Sequence, residues 1–259
     1  MTDAALPIDS SSPAPEEATP RESLSPFDVL GGVLLRPKAT FTTMRNARRG
    51  HWWLAFVIAV IALILFSVAN GLAQAPSLQE FSPPPGEISG GDVRPVGGIS
   101  PLIFIVPPII FGTIGTLFAY GYRSLVMFTM SMALGGKASF QQILRMSAWT
   151  LLPAAIRQFI GAGASFINGE VTARGISAYL TTAEVFEMPM LNAILSPIDI
   201  YLIWSMLLLW VGIVATAKID KRKGVIAVLV YLVISLIGLL IYGAIRGAMM
   251  NFGGPGGPG

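Results

Sequence analysis

Two ionisable residues, Arg157 and Asp199, lie inside apolar stretches of the sequence and are the side chains best placed to do chemistry. Arg157 falls in the outer half of one stretch, and Asp199 lies about one turn inside the outer end of another. An unpaired charge inside a bilayer costs at least about 2.5–3.5 kcal/mol, so we expect the two residues to form an intramembrane ion pair. Such a pair would either handle a substrate or proton or fix the packing of two helices, and we favour the packing role.

The rest of the sequence offers little for catalysis or for a cofactor. It has no cysteine and a single histidine, His51, with no second ligand nearby, so we predict no metal site. The patterns of zinc proteases, serine hydrolases, P-loops and dinucleotide-binding loops are missing. We therefore predict no enzymatic activity, no catalytic residue and no cofactor. The basic patches adjoin apolar stretches, where topology and anionic lipid explain them better than nucleic acid does.

The composition indicates an all-α membrane protein. Of the 259 residues, 53% are hydrophobic and only 12% are charged, whereas a soluble domain carries about 25% charged residues. Five apolar stretches approach or exceed the roughly 20 residues that a transmembrane helix needs. The predicted fold is a bundle of five transmembrane helices with short amphipathic interfacial helices. The predicted spans cover residues 52–72, 102–122, 146–166, 198–217 and 224–245 of a membrane domain at 52–247.

Individual residues refine the ends of these spans. Arg123 lies about 33 Å along a helix from Pro101, which predicts that it reaches the far interface and that 124–134 leave the membrane or lie along it. Ser139 is a candidate N-cap for the next helix, which Pro153 should kink. Aromatic residues near span ends are typical of interfacial belts; here they are Trp52, Trp53, Tyr120, Tyr122, Trp149 and Tyr242.

The segments outside the spans have different characters. Residues 1–25 and 248–259 are predicted to be disordered tails, the first rich in Pro and Ser and the second in Gly and Pro. Residues 26–51 form a basic amphipathic juxtamembrane segment. Its apolar stripe consists of Phe27, Leu30, Val33 and Leu34, and Phe41 and Met44 continue an apolar face beyond Pro37. We expect this segment either to lie in the headgroup region or to pack on the bundle as a cytosolic helix. An interfacial helix is predicted over 176–195. The GxxxG spacing at Gly243 and Gly247 indicates either a close helix contact or a fraying helix end.

The distribution of Lys and Arg sets the predicted topology. Each of the two long loops holds one arginine, whereas the segment before the first span and the other two connections are basic. With five spans, these three basic segments fall on one side of the membrane. The N-terminus is therefore predicted in the cytoplasm and the C-terminus outside. The residues that set this orientation are Arg45, Arg48, Arg49, Lys137, Lys218, Lys221, Arg222 and Lys223, together with Arg36, Lys38, Arg123 and Arg145.

Four short motifs resemble those of Yip1-domain integral membrane proteins. Residues 35–41 (LRPKATF) precede the first span, 135–140 (GGKASF) precede the third, 195–204 (LSPIDIYLIW) open the fourth, and 221–224 (KRKG) precede the last. The resemblance covers about residues 30–245. The short low-complexity tail and the Ala/Gly/Pro-rich composition make the chain look like a bacterial member.

The resemblance implies a five-helix bundle with a cytosolic N-terminus. Eukaryotic members act in vesicle traffic and contact Rab-type GTPases, but bacterial members carry no assigned activity. The resemblance therefore gives no reason to expect Rab binding by this chain. The predicted function is that of a scaffold or interaction protein in the cell (inner or plasma) membrane; the alternative is a small transporter or permease component with a polar site near Arg157 and Asp199. The expected partners are the bilayer, anionic lipids at the cytoplasmic face, and other copies or other membrane proteins.

Overall fold

The computed structural model describes residues 25–47, 51–79, 100, 102–169, 175–176, 191 and 194–252. The regular elements in this part of the chain are helices: α1 (Pro26–Leu35), α2 (Pro37–Asn46), α3 (Trp52–Gln79), α4 (Leu102–Ala133), α5 (Phe140–Trp149), α6 (Leu152–Asn168), α7 (Ile200–Ala217) and α8 (Lys221–Phe252). Among the residues that the structure describes, five apolar stretches are long enough to cross a membrane: Trp52–Gln74, Leu102–Ala133, Phe140–Asn168, Ile200–Ala217 and Lys221–Ile245. The predicted fold class is confirmed. The predicted disordered tail 1–25 lies almost entirely outside the described residues, as does most of the predicted helix 176–195.

The third span is two helices rather than one kinked helix. Helix α5 ends at Trp149 and α6 starts at Leu152 with Pro153 in its first turn, because proline has no N–H to continue the hydrogen-bond pattern of α5. The N-cap prediction at Ser139 is confirmed. Its hydroxyl accepts a hydrogen bond from the Gln142 backbone N–H at 3.3 Å, and the Gln142 side chain accepts one from the Ser139 N–H at 2.9 Å.

Helices α1 and α2 pack on the bundle. Their side chains Val29, Val33, Phe41 and Met44 are at most 3% exposed and belong to the main hydrophobic core. The buried face of α1 differs from the predicted stripe, because Phe27 is 78% exposed and Leu34 is also exposed. The predicted stripe is therefore buried only in part. Val33, Phe41 and Met44 lie in the core and Leu30 packs against it, whereas Phe27 and Leu34 lie on the outer face of α1.

The core lies where α5 meets the ends of α4, α7 and α8. Trp149, predicted to lie in an interfacial belt, is fully buried there among residues such as Met127, Ile143 and Leu209. That prediction was wrong because the break after α5 places Trp149 inside the bundle rather than at the end of a span.

Small residues bring α3 close to α6 and α4. A Cβ at Gly161 would lie 2.8 Å from the Phe66 ring, and one at Gly112 would lie 3.0 Å from Leu63. Buried Ser165 donates its hydroxyl hydrogen to the Asn70 amide oxygen at 2.9 Å, which adds a polar contact between α3 and α6. Close approach through small residues and interhelical hydrogen bonds is the usual means of joining helices in lipid.

Candidate functional site

Arg157 and Asp199, the predicted ion pair, lie in direct contact. Arg157 Nη1 on α6 donates to Asp199 Oδ2 at 2.7 Å, and the two side chains are 26% and 14% exposed. Asp199 is also the N-cap of α7, since its Oδ1 accepts a hydrogen bond from the Leu202 N–H at 2.8 Å. A carboxylate at a helix N-terminus is stabilised by the helix dipole as well as by the arginine. Both oxygens of Asp199 are therefore engaged in holding the start of α7 against α6.

The basic segments meet at one end of the bundle. The turn after α4 contacts the end of α7, where the Lys137 N–H donates to the Ala217 carbonyl at 3.1 Å. The Lys223 ammonium group, in the first turn of α8, donates to the Leu134 carbonyl at 2.9 Å. A Cβ on Gly136 would lie 2.8 Å from the Ser131 carbonyl oxygen and 3.1 Å from the Ala217 Cβ, so this turn fits closely only with glycine. The connections α4–α5 and α7–α8 thus form one joined surface.

Helix α2 is tied to the same end by polar contacts. Arg45 Nη1 donates to the Ala215 carbonyl at 3.4 Å, and Arg145 Nη1 donates to the Ala47 carbonyl at 3.2 Å. The Gln142 amide donates to the Arg45 carbonyl at 3.1 Å. Carbonyls at a helix C-terminus lack partners within the helix and carry partial negative charge, so cations are favoured there. Three helix ends therefore receive a basic side chain from another segment: Arg145 donates at the end of α2, Lys223 at the end of α4 and Arg45 at the end of α7.

The other basic residues predicted to set topology have different surroundings, and Arg36 and Lys38 are exposed at the start of α2. Four of them have exposed side chains at this end of the bundle and form what we call the basic platform: Lys137, Lys218, Lys221 and Arg222. Arg48 and Arg49 lie outside the described residues.

Arg123 forms a polar site between helices that the sequence analysis did not identify. It lies within α4, partly buried, and not at a connection between spans. Its Nε donates to the Tyr231 hydroxyl at 3.1 Å, and its Nη1 donates to the Thr150 hydroxyl at 3.0 Å and to the Thr150 carbonyl at 3.4 Å. The guanidinium also lies 5.4 Å from the centre of the Tyr231 ring. It joins α4, the break between α5 and α6, and α8.

The contacts of Arg123 explain how the chain tolerates a helix break inside a span. Backbone groups freed by a break in a bilayer must find partners in the protein. Thr150 is the C-cap of α5, and Arg123 donates to its carbonyl oxygen. The signal that could have identified Arg123 was the length of the apolar run at 101–134, which exceeds one bilayer thickness and continues on both sides of the arginine.

Residues 31–243 match the family model of the Yip1 domain. The chain belongs to the Yip1 domain family. The match takes in the Arg157–Asp199 pair, Arg123 and the basic platform. The Yip1 family is one of non-catalytic membrane proteins. Within the described residues, no group of three or more His, Cys, Asp or Glu side chains is arranged to hold a metal ion. Comparison with curated proteins and comparison with solved structures gave no significant match.

Proposed function

We propose that this Yip1-domain protein is a scaffold or interaction protein of the cell (inner or plasma) membrane. The observation that carries the proposal is the convergence of α2 and two connections on one end of the bundle, where exposed cations surround a closely packed surface. A rigid surface of this kind suits binding to lipid headgroups and to other membrane proteins.

The proposed orientation places this end in the cytoplasm. Cytoplasmic segments carry an excess of Lys and Arg, and the contacts between Lys137 and Ala217 and between Lys223 and Leu134 support a common side for the two connections. With five spans, the N-terminus then lies in the cytoplasm and the C-terminus outside.

Anionic lipids are the proposed ligand of the basic platform. Its four cations adjoin apolar side chains that face outward, including Met132 at 61% exposure and Val225 at 43%. Each cation near an anionic membrane surface contributes about 1 kcal/mol of attraction. On α1, the exposed Phe27 and Leu35 provide apolar side chains that would enter the same leaflet.

The contacts at Arg157 and Asp199 favour a packing role over transport. Both Asp199 oxygens already have partners within the chain, and the Arg157 charge is balanced. A substrate would have to displace a 2.7 Å ion pair and a helix cap together. We therefore assign this pair to the stability of the bundle.

The proposal is tested by crosslinking the tagged full chain in native membranes and then purifying it by affinity. A scaffold should recover a reproducible membrane partner or a second copy, and a variant with Lys137, Lys218, Lys221 and Arg222 changed to Gln should recover less anionic lipid. A matched control changes exposed Gln141, Thr129 and Thr42 to Ala, which leaves the charge unaltered. Solute flux that is lost in a folded Arg157→Leu variant would contradict the scaffold assignment and favour transport.

A further inference from the structure

The Arg123 guanidinium has an incomplete set of partners. Its Nε and Nη1 groups donate to Tyr231 and Thr150, but Nη2 donates to no residue in the described part of the chain. The same described residues place no carboxylate within 4.0 Å of Arg123, and the ion pair they do contain joins Arg157 to Asp199. All the partners of Arg123 are neutral, so its positive charge is not balanced within the described structure.

Three helices place Arg123 at the same depth. Arg123 lies ten residues before Ala133, the last residue of α4. Its partner Tyr231 lies ten residues after the first residue of α8, and Thr150 lies ten residues after the first residue of α5. All three helix ends lie at the basic end of the bundle, which is the end that carries the basic platform. At 1.5 Å per residue, each path gives about 15 Å from the basic end. The hydrocarbon core of a bilayer is about 30 Å thick, so with the basic platform at the interface, as proposed above, the guanidinium lies near the middle of that core. Surface side chains close to this level are apolar and more than half exposed, including Leu125, Leu229 and Val233.

The existing contacts stabilise this charge only in part. The Tyr231 ring attracts the cation, and the C-terminal dipole of α5 at Thr150 adds a partial negative charge. A charge at the centre of a membrane nevertheless costs at least about 2.5–3.5 kcal/mol, and partial charges do not neutralise a full one. A carboxylate beside Nη2 would complete the site.

The sequence and the depth of Arg123 limit which molecule could supply that carboxylate. Asp199 is the one acidic residue inside a predicted span of this chain, and it is bonded to Arg157. A second copy would therefore bring no free carboxylate to this depth. Lipid phosphates lie at the interface, about 15 Å away. A side chain on another protein's transmembrane helix reaches the level of Arg123 directly.

We propose that Arg123 is the recognition point for a different membrane protein, whose transmembrane helix carries an Asp or Glu near its middle. This helix packs along the α4–α8 surface and places its carboxylate beside Nη2, with Leu125, Leu229 and Val233 as apolar contacts. The inference deepens the proposed scaffold function and rests on it, since it names the chemistry of one partner.

The test uses synthetic transmembrane helices and the full chain in phosphatidylcholine vesicles. One probe is a 21-residue polyleucine helix with Glu at its centre, a length that spans about 30 Å, and the matched probe has Gln there. Fluorescence energy transfer from the labelled probe to a label at Asp220→Cys reports association. One interhelical polar contact in a membrane contributes about 0.6–2 kcal/mol, so the Glu probe should bind about 3- to 30-fold more tightly.

Variants separate the charge from the fold. Arg123→Gln can still hydrogen bond to Tyr231 and Thr150 but has no charge, and should bind both probes alike; Arg123→Lys should keep the preference for Glu. Lys137→Gln, at the basic platform, is the control and should also keep it. Moving Glu to either end of the probe should remove the preference in the wild type, and this comparison needs no Arg123 variant to fold.

Equal binding of the Glu and Gln probes by the wild type would overturn the inference. A preference for the Glu probe that survives in folded Arg123→Gln would also overturn it. The same holds if the preference disappears when anionic lipid is added, because the site would then bind lipid. If crosslinking in native membranes finds no partner while the Glu probe still binds selectively, the scaffold function fails and the chemistry of Arg123 stands.

Discussion

Replacing Asp199 by Asn separates the two contacts that this carboxylate makes. Asn is as good an N-cap as Asp, so the hydrogen bond from the Leu202 N–H should persist, while the charge that balances Arg157 disappears. Asp199→Ala removes both the charge and the cap. A double variant, Arg157→Met with Asp199→Asn, removes both charges and keeps the cap.

The expected effects follow from the burial of the pair. Breaking a fully buried ion pair costs about 3–5 kcal/mol because one charge is left without a partner. Side-chain exposures of 26% and 14% reduce this, so we expect about 2–3 kcal/mol for Asp199→Asn. Asp199→Ala should lose about 1 kcal/mol more through the cap. The double variant should lie within about 1 kcal/mol of the wild type, since replacing both charges is often neutral.

Equilibrium unfolding in mixed micelles, followed by the fluorescence of the five tryptophans, measures these differences. A loss of 2–3 kcal/mol raises the unfolding constant about 30- to 140-fold, which is well within reach of a titration. Two results would refute the reasoning. One is Asp199→Asn unfolding like the wild type, and the other is the double variant being less stable than Asp199→Asn alone.

Three further predictions concern the backbone, each measured by the same unfolding titration. Gly136→Ala should lower stability by about 1–3 kcal/mol because its Cβ would meet the Ser131 carbonyl and Ala217. As a control, Gly115→Ala adds a Cβ in open space and should leave stability unchanged or raise it by up to about 1 kcal/mol. Equal effects of the two substitutions would contradict the close fit of the turn at Gly136. Gly175→Ala should lower stability more than Gly169→Ala does. Both glycines have a positive φ, at +59° and +67° respectively, but only at Gly175 would the new Cβ meet carbonyl oxygens, at 2.8 Å for Leu195 and 2.9 Å for Ile198. Ser139→Ala should lose about 1 kcal/mol with its capping box, and no loss would mean that the cap is not formed in lipid.

The sequence predicts the bundle and the Arg157–Asp199 ion pair because both depend on local features. Hydropathy and length identify a membrane span without knowledge of its neighbours, so the five-helix fold is recovered. Arg157 and Asp199 could be paired because depth along a helix follows from residue number at 1.5 Å per residue. The cap at Ser139 is likewise local, since its partner lies three residues away.

The contacts of Arg123 and Trp149 could not be predicted because they depend on how helices meet. The apolar run at 101–134 permits more than one placement in a bilayer, and the placement that starts at Pro101 moves Arg123 to the interface. The structure fixes the other end of α4 through Lys223 and the Leu134 carbonyl, which puts Arg123 inside the bundle. Trp149 is buried because α5 ends beside it, and a proline in the sequence does not show whether a helix bends or breaks.

Single-cysteine labelling tests most directly the claim that the basic end of the bundle faces the cytoplasm. The chain has no native cysteine, so a membrane-impermeant maleimide reports only the introduced thiol. Asp220→Cys lies exposed in the α7–α8 turn, and Ser100→Cys lies exposed before α4. In intact cells, Ser100→Cys should be labelled at once, and Asp220→Cys only after the membrane is permeabilised. Labelling of Asp220→Cys in intact cells, with Ser100→Cys protected, would contradict the orientation and the platform with it.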